Sequence, residues 1–208
     1  MYIDIHTHTQ WPDEDILSLY NVRYVGNCDK LVSGHYSVGI HPWDVNNVEV
    51  DDSFVEIIHG ATMIGECGLD KSFKKNMYLQ EQCFVKQIEL SMRFDKPLIV
   101  HCVGCYGRLL ELSCRYPSHP LWIIHGCYTS PEWIRSAQEH NIMFSIGMRE
   151  VLRHKGKAML EAIPHNKLLL ETDESPNTIK TLYQYLNLTP DDMHHALKLF
   201  DKASDMIK

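Results

Sequence analysis

The sequence predicts an α/β fold, a TIM-type (β/α)8-like barrel that is degenerate in its first half. Three observations predict it. Eight short apolar segments have the character of strands, amphipathic helical segments separate most of them, and polar residues follow nearly every strand segment. Strands that alternate with helices in this way are typical of βα units and a parallel sheet.

The strand segments are identified as short apolar runs bounded by turn residues. They are Tyr2–Ile5, Ile16–Val22, Tyr36–Ile40, Thr62–Gly65, Pro97–His101, Leu121–His125, Ile142–Ile146 and Lys167–Glu171. Between the first of them and Tyr36 there is too little chain for complete βα units. We therefore expect at least one missing helix in the first half of the barrel.

The clearest helix is predicted from about Met77 to Phe94, where apolar residues recur with a period near 3.6 residues. The last helix is predicted to open at Pro190, with Thr189 as the N-cap and proline at the first helical position. The other helices are predicted to begin near Arg108, Pro131, Arg149 and Thr178.

Composition limits the classes of protein that fit. The chain has 208 residues, 44% of them hydrophobic and 23% charged, which suits one globular domain over residues 1–208. Its formal net charge of −7 argues against a broadly basic surface for nucleic acids. Bound divalent cations would change the field locally, so the net charge does not exclude a phosphate substrate.

Cysteine usage and the N-terminus indicate the compartment. Seven cysteines are scattered through apolar stretches, and the C-x-x-C pair of Cys102 and Cys105 has no second pair to form a zinc ribbon. The opening MYIDIH has neither the basic nor the apolar region of a signal peptide, and no apolar run approaches the ~20 residues that span a membrane. We expect a cytoplasmic protein with no membrane segment, no disulfide framework and no obligate protein partner.

Residues able to bind metals or transfer protons stand where the predicted strands end. They are His6 and His8, His41, Glu66 and Asp70, His101, His125, and Glu171 with Asp173. In a β/α barrel the carboxyl ends of the strands form one rim, which carries the active site. A single histidine at a strand end is ordinarily a satisfied surface residue. Six strand ends with the same property indicate a metal cluster on that rim.

Six segments resemble, in order, those of the TatD family of metal-dependent deoxyribonucleases, within the amidohydrolase-like superfamily. They are D-x-H-x-H from Asp4, GIHP from Gly39, IGECGLD from Ile64, KPLIVHC from Lys96, IIHG from Ile123 and LLLETD from Leu168. D-x-H-x-H is shared with other metallohydrolases, whereas IGECGLD together with LLLETD is specific. The resemblance spans nearly the whole chain and implies the same barrel.

The resemblance also implies a ligand set for two divalent ions per chain (Mg, Mn or Zn). His6, His8 and Asp173 would hold one ion, His101 and His125 would hold the other, and Glu66 would bridge the two. The catalytic residues would be Asp173, which would orient a metal-activated water and take its proton, and Glu66. Glu171 stands at the end of the same strand as Asp173. It is interpreted as pointing away from the ions and supporting the structure.

The chain departs from the family in length and in the loops of the rim. It is short between the first strand and GIHP, and it reads HCVGCYG, HGCYTS and ETDES where relatives commonly differ. Substrate contacts are predicted only by position on the rim. The candidates are His41, Asp70, Tyr128 and Arg149. Trp43 could stack on a base or pack beside Pro42, and the sequence leaves both open.

Two kinds of function and one loss of function fit these residues. The first is a phosphodiesterase, most simply a deoxyribonuclease, that acts on DNA ends or a small phosphoester. The second is a small-molecule metallohydrolase on the same barrel that cleaves an amide, a lactone or a phosphoester. The third is a metal-binding relative without catalysis, which Asp173 argues against.

Overall fold

The structure is a computed structural model that describes residues 1–26, 33–73 and 76–200. Eight parallel strands form one sheet in which each strand pairs with the next along the chain. The strands are β1 (Tyr2–Thr7), β2 (Ile16–Arg23), β3 (Tyr36–Gly39), β4 (Met63–Asp70), β5 (Leu98–Val103), β6 (Trp122–Ile124), β7 (Ile142–Ile146) and β8 (Leu168–Leu170). Each overlaps a segment that the sequence predicts as a strand.

Backbone hydrogen bonds bring the first and last strands together. Asp173 N donates to His6 O at 3.0 Å, and His8 N donates to Asp173 O at 3.1 Å. Asp173 has a positive φ of 54°, a left-handed conformation that aspartate adopts more readily than most residues. The sheet therefore forms a nearly closed barrel, which confirms the predicted fold class.

Helices cover the outside of the barrel. They are α1 (Asp52–Gly60), α2 (Met77–Phe94), α3 (Tyr106–Arg115), α4 (Pro131–Ala137), α5 (Met148–Val151), α6 (Gly156–Ala162) and α7 (Ile179–Leu186), with 3₁₀ turns at His165–Lys167 and Pro190–Ala196. Residues 8–15, between β1 and β2, contain no helix, as expected for a degenerate first half. The sequence prediction did not include α1 or α6.

Two apolar layers hold the barrel. The interior layer is Ile3, Ile5, Leu19, Met63, Ile99, Ile123 and Leu169, with Ala196 and Phe200 packed against it. A larger layer lies between the sheet and the helices, where the rings of Phe84 and Trp122 are 5.6 Å apart. Ala196 and Phe200 belong to an apolar stripe that the sequence continues to Ala203, which lies outside the described residues.

Strand β4 departs from regular geometry just where the polar residues begin. Gly65 and Gly68 have φ angles of 136° and 139°, and the pairing with β5 shifts between Ile64 and Cys67. A Cβ at Gly65 would lie 2.4 Å from Ile99 O, and one at Gly68 would lie 2.1 Å from His101 O. Only glycine permits both the conformation and this close approach of β4 to β5.

No helix among the described residues is both long enough and apolar enough to cross a bilayer.

Candidate metal centre

The two carboxylate oxygens of Glu66 face two different groups of histidines. Oε1 lies 2.7 Å from His101 Nδ1 and 2.7 Å from His125 Nε2. Oε2 lies 3.7 Å from His6 Nε2 and 4.0 Å from His8 Nε2. Glu66 therefore stands between two imidazole pairs, the position that a bridging carboxylate occupies.

The backbone of Glu66 is fixed by a neighbouring strand. Its N–H donates to Oδ1 of Asn21 on β2 at 3.0 Å, and Ser37 Oγ donates to the same oxygen at 3.1 Å. Both side chains are buried. The amide oxygen of Asn21 on β2 therefore accepts from both β3 and β4. These two hydrogen bonds fix the position of the Glu66 backbone relative to the neighbouring strands.

The first group consists of His6, His8 and Asp173. Asp173 Oδ1 lies 3.7 Å from His6 Nε2 and 3.5 Å from His8 Nε2, too far for hydrogen bonds. Ligands about 2.0–2.1 Å from one ion in a tetrahedral arrangement stand roughly 3.4 Å apart, close to these separations. His6 Nε2 is buried and has no hydrogen-bond partner among the described residues. Two imidazole nitrogens and a carboxylate oxygen fit a divalent metal.

The second group lies on the Oε1 side of Glu66. His101 Nδ1 and His125 Nε2 are 3.2 Å apart, and His41 Nε2 lies 3.2 Å from Oε1. His41, Glu66 and His101 bring one potential ligand atom each within 4.8 Å of one another, as do His6, Glu66 and His125. His41, predicted as a substrate contact, therefore lies inside the candidate metal centre.

A carboxylate lies behind His101, and another lies behind His125. Asp70 Oδ2 is 3.1 Å from His101 Nε2, and Glu171 Oε1 is 3.6 Å from His125 Nδ1. Asp70 lies at hydrogen-bond distance and can hold the proton of His101 on Nε2, which leaves Nδ1 free for an ion. Glu171 lies beyond hydrogen-bond distance of His125 Nδ1, which has no hydrogen-bond partner among the described residues, and its Oε1 accepts instead from Gly126 N at 2.6 Å. Glu171, which the sequence interpretation has pointing away from the ions, lies buried beside His125.

Asp70 is buried and already bonded, although its position on the rim suggested a substrate contact. Its Oδ1 accepts from Ser72 N at 2.8 Å and Ser72 Oγ at 2.6 Å, and its Oδ2 accepts from Trp43 Nε1 at 2.7 Å. The indole of Trp43 stays 43% exposed, and its ring stacks on Phe73 at 5.8 Å. Asp70 is thus placed to orient His101, with Trp43 bonded behind it.

The charges of the centre are strongly coupled. Burial raises the pKa of Glu66, but the imidazoles of His125 and His101 outweigh it and hold the pKa well below its usual value. Burial also opposes ionisation of Asp173, yet His6 and His125 lower its pKa to about 2. Burial lowers the pKa of His125, whereas Glu66 and Glu171 raise it well above 6.5. The buried carboxylates are ionised and attract positive charge, which is what a cation site requires.

Asp4, the polar residue two positions before His6, does not supply a ligand. Its oxygens accept from Thr172 N at 2.9 Å and Thr172 Oγ1 at 2.7 Å. Complete burial, partly offset by these bonds, raises its pKa to about 7. Asp4 thereby links β1, which carries His6 and His8, to Thr172, the residue just before Asp173. These bonds fix the relative position of the two segments that supply the first group.

The remaining rim candidates lie farther from Glu66. Arg149 Nη2 is 3.6 Å from Asp173 Oδ2, on the opposite side of that carboxylate from the histidines. Tyr128 packs under the guanidinium of Arg153, whose central carbon is 3.6 Å from the ring centre. The structure therefore brings Arg149 to the edge of the centre, whereas the ring of Tyr128 packs against Arg153.

A parallel β/α barrel with a carboxylate between two histidine groups at the strand ends defines a candidate metal centre. The chain belongs to the TatD related DNase family, whose model matches residues 17–206. The matched range begins after β1, so His6 and His8 lie outside it.

Named relatives agree with that assignment. The chain is 28% identical over 168 residues to the 3'-5' ssDNA/RNA exonuclease TatD of Escherichia coli (strain K12), covering 74% of this chain and 64% of that protein. It is 30% identical over 136 residues to the human 3'-5' RNA nuclease TATDN2, covering 60% of this chain and 18% of that protein. The chain spans less than two thirds of the length of the curated relatives it matches.

Solved structures share the fold. The crystal structure of YJJV, a TatD homolog from Escherichia coli K12, superimposes with a TM-score of 0.76 at 18% identity and covers 96% of this chain and 98% of that one. A TatD family hydrolase from Entamoeba histolytica superimposes with a TM-score of 0.66 at 14% identity, covering 82% and 73%. At these identities the likeness shows the barrel alone.

Proposed function

We propose that this chain is a divalent-metal-dependent phosphodiesterase that hydrolyses single-stranded nucleic acid from an end. The observation that carries the proposal is the division of the two Glu66 oxygens between two imidazole pairs. Two cations about 3.5–4 Å apart suit hydrolases that must stabilise both the attacking and the leaving oxygen of a phosphoryl group. Relatives named as exonucleases support a nucleic-acid substrate.

In this proposal His6, His8 and Asp173 would hold one divalent ion, His101 and His125 would hold the other, and Glu66 would contribute to both sites. Mg, Mn or Zn would supply Lewis acidity and lower the pKa of water when bound. The mixed imidazole and carboxylate donors favour Zn or Mn over Mg, which prefers oxygen-rich sites.

The chain's own groups would orient the reactants and move the proton. Asp173 is ionised at neutral pH, and its Oδ1 is the oxygen nearest to His6 and His8, whereas its Oδ2 is the oxygen nearest to Arg149. This oxygen is therefore free of the imidazole pair and can accept a proton from the attacking water. His41, whose pKa burial lowers below 6.5, is neutral at pH 7 and can contact a phosphate oxygen or add to the ligand set.

Within the proposal we treat residues 1–208 as one catalytic domain that works in the cytoplasm without an obligate protein partner. DNA ends and small phosphoesters are the substrate classes to test first.

Turnover assays with matched substrates test the proposal. Purified protein is freed of metal, supplied separately with Mg, Mn or Zn, and given bis-p-nitrophenyl phosphate, a panel of amides and lactones, and single-stranded DNA and RNA oligonucleotides. We expect turnover of the phosphodiester and shortening of oligonucleotides from an unblocked end. The Asp173→Asn protein, purified in parallel, controls for contaminating nucleases.

Two outcomes would overturn this function. Hydrolysis of an amide or lactone without any phosphodiesterase activity would identify a small-molecule metallohydrolase. Tight metal binding without turnover of any substrate would identify a metal-binding relative that has lost catalysis.

A further inference from the structure

A cleft of about 310 Å³ opens beside Asp173. One wall is formed by Gly147, Arg149 and Glu150, which follow β7. The other wall is formed by Asp173, the exposed Glu174 and Ser175, which follow β8. The cleft is therefore continuous with the candidate metal centre and shares one carboxylate with it.

Arg149 is held in this wall by its inner nitrogen. Its Nε donates to Glu150 Oε1 at 2.8 Å, and Glu150 is buried, with Oε2 accepting from Gly147 N at 3.2 Å. The Arg149 side chain is nevertheless 68% exposed. Because the Glu150 carboxylate bonds to Nε only, the two terminal amino groups of Arg149 remain available to a ligand. The same bond fixes the orientation of the guanidinium plane.

The contact between Arg149 and Asp173 leaves room for such a ligand. Nη2 lies 3.6 Å from Asp173 Oδ2, beyond a normal hydrogen bond, while Oδ1 faces His6 and His8. An ion held by the histidines and Oδ1 would neutralise Asp173 without help from Arg149. The guanidinium would then be paired with Glu150 through Nε and would present its terminal amino groups to the cleft.

We propose that this cleft binds the phosphate next to the scissile one along a nucleic-acid strand, with the terminal amino groups of Arg149 donating to it. The inference rests on the proposed phosphodiesterase function and makes it more specific. Guanidinium and phosphate match in charge and in the geometry of two parallel hydrogen bonds. The cleft therefore makes the enzyme prefer strands over isolated phosphodiesters.

Three substrates distinguish the effect of a neighbouring phosphate from the effects of the scissile phosphate, the sugars and the bases. Bis-p-nitrophenyl phosphate has one phosphate, the dinucleotide TpT has one phosphate with sugars and bases, and the trinucleotide TpTpT has a phosphate adjacent to either scissile bond. kcat/KM is measured on each for the wild type and for Arg149→Met. We expect the loss on TpTpT to exceed the losses on TpT and on bis-p-nitrophenyl phosphate by tenfold or more.

Two further variants keep the result interpretable. Arg149→Lys retains the charge without the two-pronged geometry, and we expect it to recover part of the TpTpT activity. Arg135→Met removes another exposed arginine that pairs with a glutamate, Glu132 at 3.2 Å, outside the cleft. We expect the ratio of TpTpT to TpT activity in this control to equal that of the wild type.

The outcomes distinguish this inference from the function on which it rests. Equal losses on all three substrates would show that Arg149 acts through Asp173, and would overturn the phosphate subsite while leaving the phosphodiesterase function intact. An unchanged TpTpT to TpT ratio in Arg149→Met would overturn the subsite as well. A wild type that hydrolyses none of the three with any metal would overturn both.

Discussion

Nε2 of His101 lies 3.1 Å from Oδ2 of Asp70, while its Nδ1 lies 2.7 Å from Glu66. The imidazole is therefore held between a carboxylate that orients it and a carboxylate that shares its proposed ion. This arrangement fixes which nitrogen is available to a metal, because the proton is drawn to the Asp70 side.

Asp70→Asn should weaken metal binding without unfolding the protein. An amide cannot draw the proton of His101 to Nε2 as a carboxylate does, so we expect metal affinity to fall about 10–100-fold. Activity should recover in part when metal is raised. Metal titration followed by calorimetry measures the affinity.

Trp43→Phe is the matched control for that variant. It removes a donor to the same Oδ2 atom at 2.7 Å but leaves the carboxylate beside His101. We expect a smaller loss of affinity than in Asp70→Asn. Equal affinity in wild type and Asp70→Asn would show that Asp70 does not orient the ligand.

Asp173→Asn should separate proton transfer from metal binding. The amide retains the shape and one possible ligand oxygen but cannot accept a proton at neutral pH. General-base catalysis contributes about 10²–10⁴-fold, so kcat should fall at least 100-fold even with saturating metal. The measurement is phosphodiester hydrolysis across a metal titration.

His6→Ala is the comparison for Asp173→Asn, because it removes a ligand and leaves the proposed base. Part of its lost activity should return as the metal concentration rises. If Asp173→Asn instead recovers near-full activity at high metal, Asp173 is only a ligand, and His41 becomes the next candidate for the base.

Asp51 predicts a pH-dependent contribution to stability away from the centre. It caps α1, with Oδ1 accepting from Phe54 N at 2.8 Å and from Tyr24 OH at 3.0 Å, and these bonds lower its pKa below 3.8. A lowered folded-state pKa stabilises the protein above the unfolded value, and the effect disappears as the pH falls through the folded value. Asp51→Ala should lower Tm by roughly 2–4 °C at pH 7.

Thermal unfolding at pH 7, 4 and 3 checks this prediction. The Tm difference between wild type and Asp51→Ala should narrow below pH 4. Asp52→Ala, the neighbouring acidic residue in the first turn of α1, is the control and should lower Tm by less. A difference that stays constant from pH 7 to pH 3 would contradict the role of the ionised cap.

The strands were predictable because their signals are strong and local. Every strand is an apolar run bounded by turn residues, and α2 has a long apolar stripe that gave the bounds Met77–Phe94 found in the structure. Helix α1 was missed because only Phe54 and Ile58 of its nine residues are fully buried, amid acidic neighbours. A stripe of two residues is too short to show a period.

The site was predictable as a group of residues, but its geometry was not. The positions of the strand ends predicted which side chains lie on the rim. The alternation of side chains along a strand, however, would place Glu66 and Asp70 on the same face of β4. The positive φ angles of Gly65 and Gly68 interrupt that alternation. Glu66 consequently faces both imidazole pairs and Asp70 lies behind His101, a relation set by backbone conformation and not by residue spacing.

The central claim is that Glu66 bridges two ions, and metal content per chain tests it most directly. Wild type, Glu66→Ala and His125→Ala are reconstituted with Zn or Mn, freed of loosely bound metal and analysed for metal per chain. We expect two ions in the wild type, a loss affecting both sites in Glu66→Ala and a loss of mainly one ion in His125→Ala. One ion or fewer per wild-type chain, or equal metal content in the two variants, would contradict it.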